Sequence, residues 1–207
     1  MKNKKKMPVF FTKKYWVENW KTSLINLAIY FAVFIALSLV DLLTKEYIFN
    51  NRAKDLDITD HYAVYKSNFI IFWSIFHRGT TISLGLPDWT LHFVSVLIFL
   101  TTLTVTLFFK DKSFRWTVVA FAMVSAGAFG NMYDRIAHGG VRDIIHLPWA
   151  NGGTFNFADA WLVLGGIASL LSIIIVTFWV LPQKHNKESN TQLNLNDYNE
   201  VNFESQT

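Results

Sequence analysis

The chain has 207 residues, 52% of them hydrophobic and 16% charged, which is less charge than a soluble domain normally carries. Nineteen Lys and Arg against fifteen Asp and Glu leave a net charge of +4, gathered at the N-terminus rather than spread as a stripe, so no nucleic-acid partner is expected. The absence of cysteine excludes a thiol nucleophile, a disulfide framework and a cysteine-bound metal.

In chain order, residues 1–23 hold seven lysines beside one acid, Glu18. The apolar run that follows, Leu24 to Leu43, is too long for the core of a cleaved signal peptide and no small-residue cleavage site follows it. It reads as a retained first transmembrane helix. Three further runs, Leu91 to Phe109, Trp116 to Tyr133 and Phe157 to Leu181, are also long enough to span. At about 1.5 Å per residue each crosses a hydrocarbon core of roughly 30 Å. Four spans place both termini on one side. The basic N-terminus, the connection with Lys110, Lys112 and Arg115, and the tail start with Lys184 and Lys187 mark that side as cytoplasmic, leaving 44–90 and 134–156 outside.

The expected fold is therefore an all-α membrane protein with four transmembrane helices and a small β-containing extracytoplasmic loop region. It divides into a basic cytoplasmic N-terminus (1–23), a four-helix membrane domain (24–181) and a polar cytoplasmic tail (182–207), which has few packing residues and is expected to be disordered. The β content is placed at 61–86, where Tyr62, Val64 and Tyr65, the run Phe69 to Trp73, and Thr80, Thr81 and Ile82 suggest short strands. Their aromatic surface would lie at the membrane interface, or simply form a folded loop without substrate contact. In the third span Ala122, Ala126 and Gly130 recur every four residues, as do Gly127, Asn131 and Arg135; the first set allows close helix approach at the centre of the bundle, the second makes a polar stripe. Gly165, Ser169 and Ser172 offer similar close packing in the fourth span.

The segment Phe129 to Asp159 is a polar island between two spans, with three aspartates, two arginines, two histidines and three asparagines. Charges so close to a bilayer are costly and mark functional or paired positions. Asp143 sits between Gly139-Gly140 and Asn151-Gly152-Gly153, and Asp159 opens the fourth helix, so a return loop could bring the two carboxylates together at the outer mouth of the bundle. Two carboxylates in one site do not both ionise readily; one keeps a proton while the other takes one from water, the pair that peptide hydrolysis needs. The residues alone favour plainer readings: Asp159 stabilised by the helix macrodipole, and Asp143 paired with Arg135 or Arg142. Asp143, His146 and His138 could contribute to a metal site, but no HExxH helix or comparable spacing is present. No Gly-x-Ser-x-Gly elbow exists, and Lys45 and Lys110 have no evident serine partner. A small transporter or membrane scaffold with intramembrane aspartates is the rival from another class.

Three separated blocks decide between these. Gly130-Asn131-Met132-Tyr133-Asp134-Arg135, then Val141-Arg142-Asp143, then Phe155-Asn156-Phe157-Ala158-Asp159 resemble in order and spacing the signature of the lipoprotein signal peptidases, the type II signal peptidases. Asp41-Leu42-Leu43-Thr44-Lys45 looks like the family's block at the end of the first helix, with Leu42 where glutamine is usual; Phe76-His77-Arg78-Gly79-Thr80-Thr81-Ile82 is a poorer match to its outer-loop block, with His77 where asparagine is usual. The resemblance implies an aspartic endopeptidase of the bacterial cell membrane, acting as a monomer without metal or organic cofactor. Its substrates would be prolipoproteins carrying a diacylglyceryl-modified cysteine, cut on the N-terminal side of that cysteine. It implies Asp143 and Asp159 as the catalytic pair, with Asn131, Arg135, Asn156 and Asp41 binding substrate or supporting the site.

Overall fold

The computed structural model describes residues 13–50, 62–77, 88–150 and 153–204. Four long apolar helices carry the chain, each with a stretch long enough to cross a membrane: α1 (Lys13–Asn50), α2 (Asp88–Phe108), α3 (Arg115–His138) and α4 (Phe157–Ile175). Their surface is apolar and their interior is in part polar. Leu24, Phe31, Ile35, Leu100, Leu170 and Ile174 point outward, while Ser23, Asn26, Thr106, Thr117 and Ser125 are buried. Lipid tails are as apolar as leucine, so burying aliphatic side chains does not drive such helices together; small residues and interhelical hydrogen bonds do.

Helix α3 supplies both. Ala122 and Ala126 are fully buried, and a Cβ placed on Gly165 of α4 would lie 2.8 Å from Met123 Cβ and 2.9 Å from the Ala120 carbonyl oxygen, so α3 and α4 touch backbone to backbone. The hydroxyls of Tyr30, Thr102 and Ser125 close a triangle at 2.6–2.9 Å that ties α1, α2 and α3. Thr117 and Ser172 share a 2.7 Å hydrogen bond between α3 and α4. The expectation that the third span lies centrally therefore holds.

Helix α3 stops at Gly139, whose φ of 73° is a left-handed C-cap that glycine adopts without strain, and its N–H returns to the Arg135 carbonyl. This turn sends the chain straight into a sheet. Its strands β1 (Tyr62–Lys66), β2 (Ile71–His77) and β3 (Val141–His146) are antiparallel in the order β1-β2-β3. β1 and β2 fall where short strands were expected; the β-prone Thr80 to Ile82 lies outside the described residues. β3 was read as part of a return loop, yet it is an ordered strand paired Ile75 to Asp143, Phe76 to Arg142 and His77 to Val141. Beneath the sheet, Ile48, Ile144 and Ile145 pack with Phe49, Val64, Phe72, Phe155 and Phe157, fastening it to the ends of α1 and α4.

From α4 the chain passes through a π turn (Val176–Val180) into helix α5 (Leu181–Glu204). Pro182 has no N–H to give a carbonyl behind it, and the wider turn just before it, where the Leu181 N–H bonds the Val176 carbonyl, absorbs that mismatch. Lys184 then anchors the start of α5 to the α2–α3 connection through Asp111 at 2.7 Å and Ser113 at 2.8 Å.

Candidate active site

The polar island folds so that the end of α3, strand β3 and the start of α4 converge. Asn156 is the N-cap of α4 and holds a reciprocal capping box: its side chain accepts the Asp159 N–H at 2.9 Å, and its own N–H donates to Asp159 Oδ2 at 3.3 Å. The plain reading of Asp159 as a favourable first-turn acid is thus correct as far as it goes. Asp159 Oδ1, however, accepts a second hydrogen bond, from Asn131 Nδ2 of α3 at 2.7 Å. Asn156 Nδ2 meanwhile reaches the other way, donating to Asp143 Oδ1 at 2.8 Å and to Asn131 Oδ1 at 3.1 Å. One fully buried residue therefore touches both carboxylates, Asp143 through the Asn156 side-chain amide and Asp159 through the Asn156 backbone N–H.

Asp143 is 2% exposed, whereas Asp159 is partly open. Burial, with the Asp159 charge added to it, pushes the Asp143 carboxyl up to about 7, against the opposing pull of the Asn156 hydrogen bond and Lys45. Below about pH 7 the Asp143 carboxyl accordingly keeps its proton. The alternative pairing of Asp143 with Arg142 is not found. Arg142 gives its backbone N–H, Nε and Nη2 to Asp134 at 2.8–3.1 Å and Nη1 to Glu46 at 2.8 Å. Arg135 donates from Nη1 to the Asn131 carbonyl at 3.2 Å, one turn back on the polar stripe.

Asp41 lies behind the pair on α1. Its Oδ1 accepts the Ala158 N–H at 2.9 Å, binding α1 to the first turn of α4, and its Oδ2 pairs with Lys45 at 2.7 Å. Gly130 faces this carboxylate so closely that a Cβ there would collide with Asp41 Oδ2. Lys45 also reaches Asp134 Oδ2 at 3.2 Å and Asn131 Oδ1 at 3.4 Å. The site is thus backed by a buried cluster of two cations, Lys45 and Arg142, and two anions, Asp41 and Asp134.

A family model described as signal peptidase (SPase) II matches residues 33–179, which include every residue of the site. The chain belongs to this family. Among lipoprotein signal peptidases, that of Aquifex aeolicus (strain VF5) is 29% identical over 175 residues, 79% of this chain and 94% of the relative. That of Streptococcus pneumoniae (strain ATCC BAA-255 / R6) is 31% identical over 109 residues, 52% of this chain and 70% of the relative. A solved bacterial membrane enzyme has the same fold, with a TM-score of 0.59 at 21% identity over 72% of this chain and 89% of its own.

As a signal peptidase II the chain is a protease, and its four apolar helices make it a multi-pass membrane protein. All six residues singled out in the sequence lie at or beside this one junction. What sequence reasoning did not assemble is the ion cluster behind it, although the i, i+4 spacing of Asp41 and Lys45 is a signal for that pair. Asp143 and His146 are three apart on a strand and so face opposite sides of the sheet; the His146 ring packs at a tilt against Trp73, with centroids 4.6 Å apart. Among the described residues, no three His, Asp or Glu side chains converge as metal ligands.

Proposed function

We propose that this signal peptidase II is a membrane aspartic endopeptidase that releases signal peptides from prolipoproteins by cutting on the N-terminal side of the diacylglyceryl-modified cysteine. The observation that carries the reading is the junction at Asn156, which binds Asp143 and Asp159 at once. Asp159, with an N–H donor on each oxygen, is the base: it takes a proton from water as the water oxygen bonds the scissile carbonyl carbon. Asp143, the protonated partner, gives its proton to the carbonyl oxygen. When the tetrahedral intermediate collapses, the C–N bond breaks, the proton on Asp159 passes to the leaving nitrogen and Asp143 recovers a proton from the hydroxyl it had formed. The pair ends as it began. Asn131 and Asn156 hold the carboxylates, Asp41 fixes the first turn of α4, and Arg135 extends the polar stripe toward substrate.

Placement at the helix ends suits this substrate. An apolar signal peptide enters between helices from the lipid and the acyl chains stay in the bilayer, while hydrolysis needs water at the surface. The lysine distribution orients both termini to the cytoplasm and the carboxylates to the outer face. The test is cleavage of a diacylglyceryl-modified prolipoprotein by the purified chain in detergent, beside Asp143→Asn and Asp159→Asn proteins that remain folded at the assay temperature. Cleavage by the parent and loss in both variants is expected. A folded but inactive parent, or two variants that cleave normally, refutes the reading.

A further inference from the structure

One contact to the Asp143 carboxylate has no part in the mechanism above. His77 ends β2 and pairs with Val141, while Ile75 pairs with Asp143, so the imidazole and the carboxylate stand diagonally on facing strands. Long side chains reach each other at that offset. His77 Nε2 lies 3.3 Å from Asp143 Oδ2, the oxygen that does not receive the Asn156 Nδ2 hydrogen bond. The imidazole is 42% exposed and the carboxylate 3%, so His77 links a buried acid to water.

We propose that His77 is a positioning residue that selects which aspartate carries the pair's single proton. This rests on the peptidase reading of the site. A neutral imidazole leaves the proton on Asp143, the arrangement in which Asp143 is the acid and Asp159 the base. A protonated imidazole places a positive charge beside Asp143 Oδ2, draws negative charge onto that carboxylate and moves the proton to Asp159, which reverses the two roles. The other charges around Asp143 are Asp159 on α4, Lys45 on α1, Asp134 on α3 and Arg142 beside it on β3. Lys45 and Arg142 are engaged by Asp41, Asp134 and Glu46, whereas His77 approaches Asp143 directly from β2. Histidine is the side chain whose ordinary charge change falls near neutral pH.

The experiment uses the full chain in detergent with a diacylglyceryl-modified prolipoprotein, comparing the pH dependence of kcat for the parent, His77→Asn and His77→Gln. Both variants are expected to cleave within a few-fold of the parent on the alkaline side. Their acid limb should move down by roughly one pH unit, because no imidazolium forms beside Asp143 to draw the proton off it. A readout without substrate accompanies it: NMR titration of ring-labelled histidines, in which the signal lost in His77→Asn should change its titration in Asp143→Asn, because the carboxyl group it is coupled to is gone. A parent that cleaves with an acid limb unmoved in both variants, or a His77 titration unmoved in Asp143→Asn, overturns the proposal and leaves the peptidase reading intact. A folded parent that cleaves nothing overturns the peptidase reading and, with it, the role of His77.

Discussion

Replacing Lys45 by methionine tests the charge balance behind the site. Lys45 is wholly buried, with Asp41 at 2.7 Å and Asp134 at 3.2 Å, and methionine keeps a similar shape while removing the charge. Asp134 retains Arg142 at 2.8 Å, but Asp41 keeps only the Ala158 N–H among the partners named above. Breaking a buried ion pair from one side costs about 3–5 kcal/mol, because the remaining charge is left without compensation in a low-dielectric interior. Asp41→Asn in the same protein removes that charge, and its Oδ1 can still accept the Ala158 N–H. The double variant should therefore recover more than half of the loss. The assay is thermal unfolding in detergent for the parent, Lys45→Met, Asp41→Asn and the double variant, read as a double-mutant cycle. Strict additivity, with the double variant as unstable as the sum of the two singles, would refute the account of a balanced cluster.

Other outcomes follow from the same geometry. Asp143→Asn and Asp159→Asn should each lower cleavage by about 100-fold or more, the scale of losing a general acid or base, with unfolding temperature measured alongside. The rate should fall as pH rises through about 7, where Asp143 gives up its proton. Stability carries the same sign: a folded-state pKa above the ordinary 3.8 means that the folded protein binds the extra proton, so the stabilisation is full below 3.8 and is lost as pH rises to about 7. Asp143→Asn, neutral throughout, should thus gain in unfolding temperature relative to the parent between pH 5 and pH 8. Gly165→Ala should destabilise by about 1–3 kcal/mol by forcing α4 off Ala120 and Met123, whereas Gly166→Ala, with open space around it, should not.

The helices were legible because length and hydropathy alone determine a spanning segment, and the α3 packing face because small residues at a four-residue spacing have few other uses in lipid. β3 was not legible for a physical reason. A half-buried strand announces itself by alternation, but Arg142 and Asp143 are adjacent and both buried, one committed to Asp134 and Glu46 and the other to Asn156. Site chemistry overwrote the strand pattern. In the tail, helical continuity from α4 through the π turn depends on backbone geometry that composition does not report. The expected site residues came from the three sequence blocks and, for Asp41, from the block at the end of the first helix, and their geometric relation through Asn156 appeared only when the strand and the helix start were placed side by side.

Asp143 belongs to the sheet and Asp159 to the helix bundle, with Asn156 spanning the seam between them. The distance between the two carboxylates is therefore set by that seam: a push that levers the sheet away from the helix ends parts them without changing either.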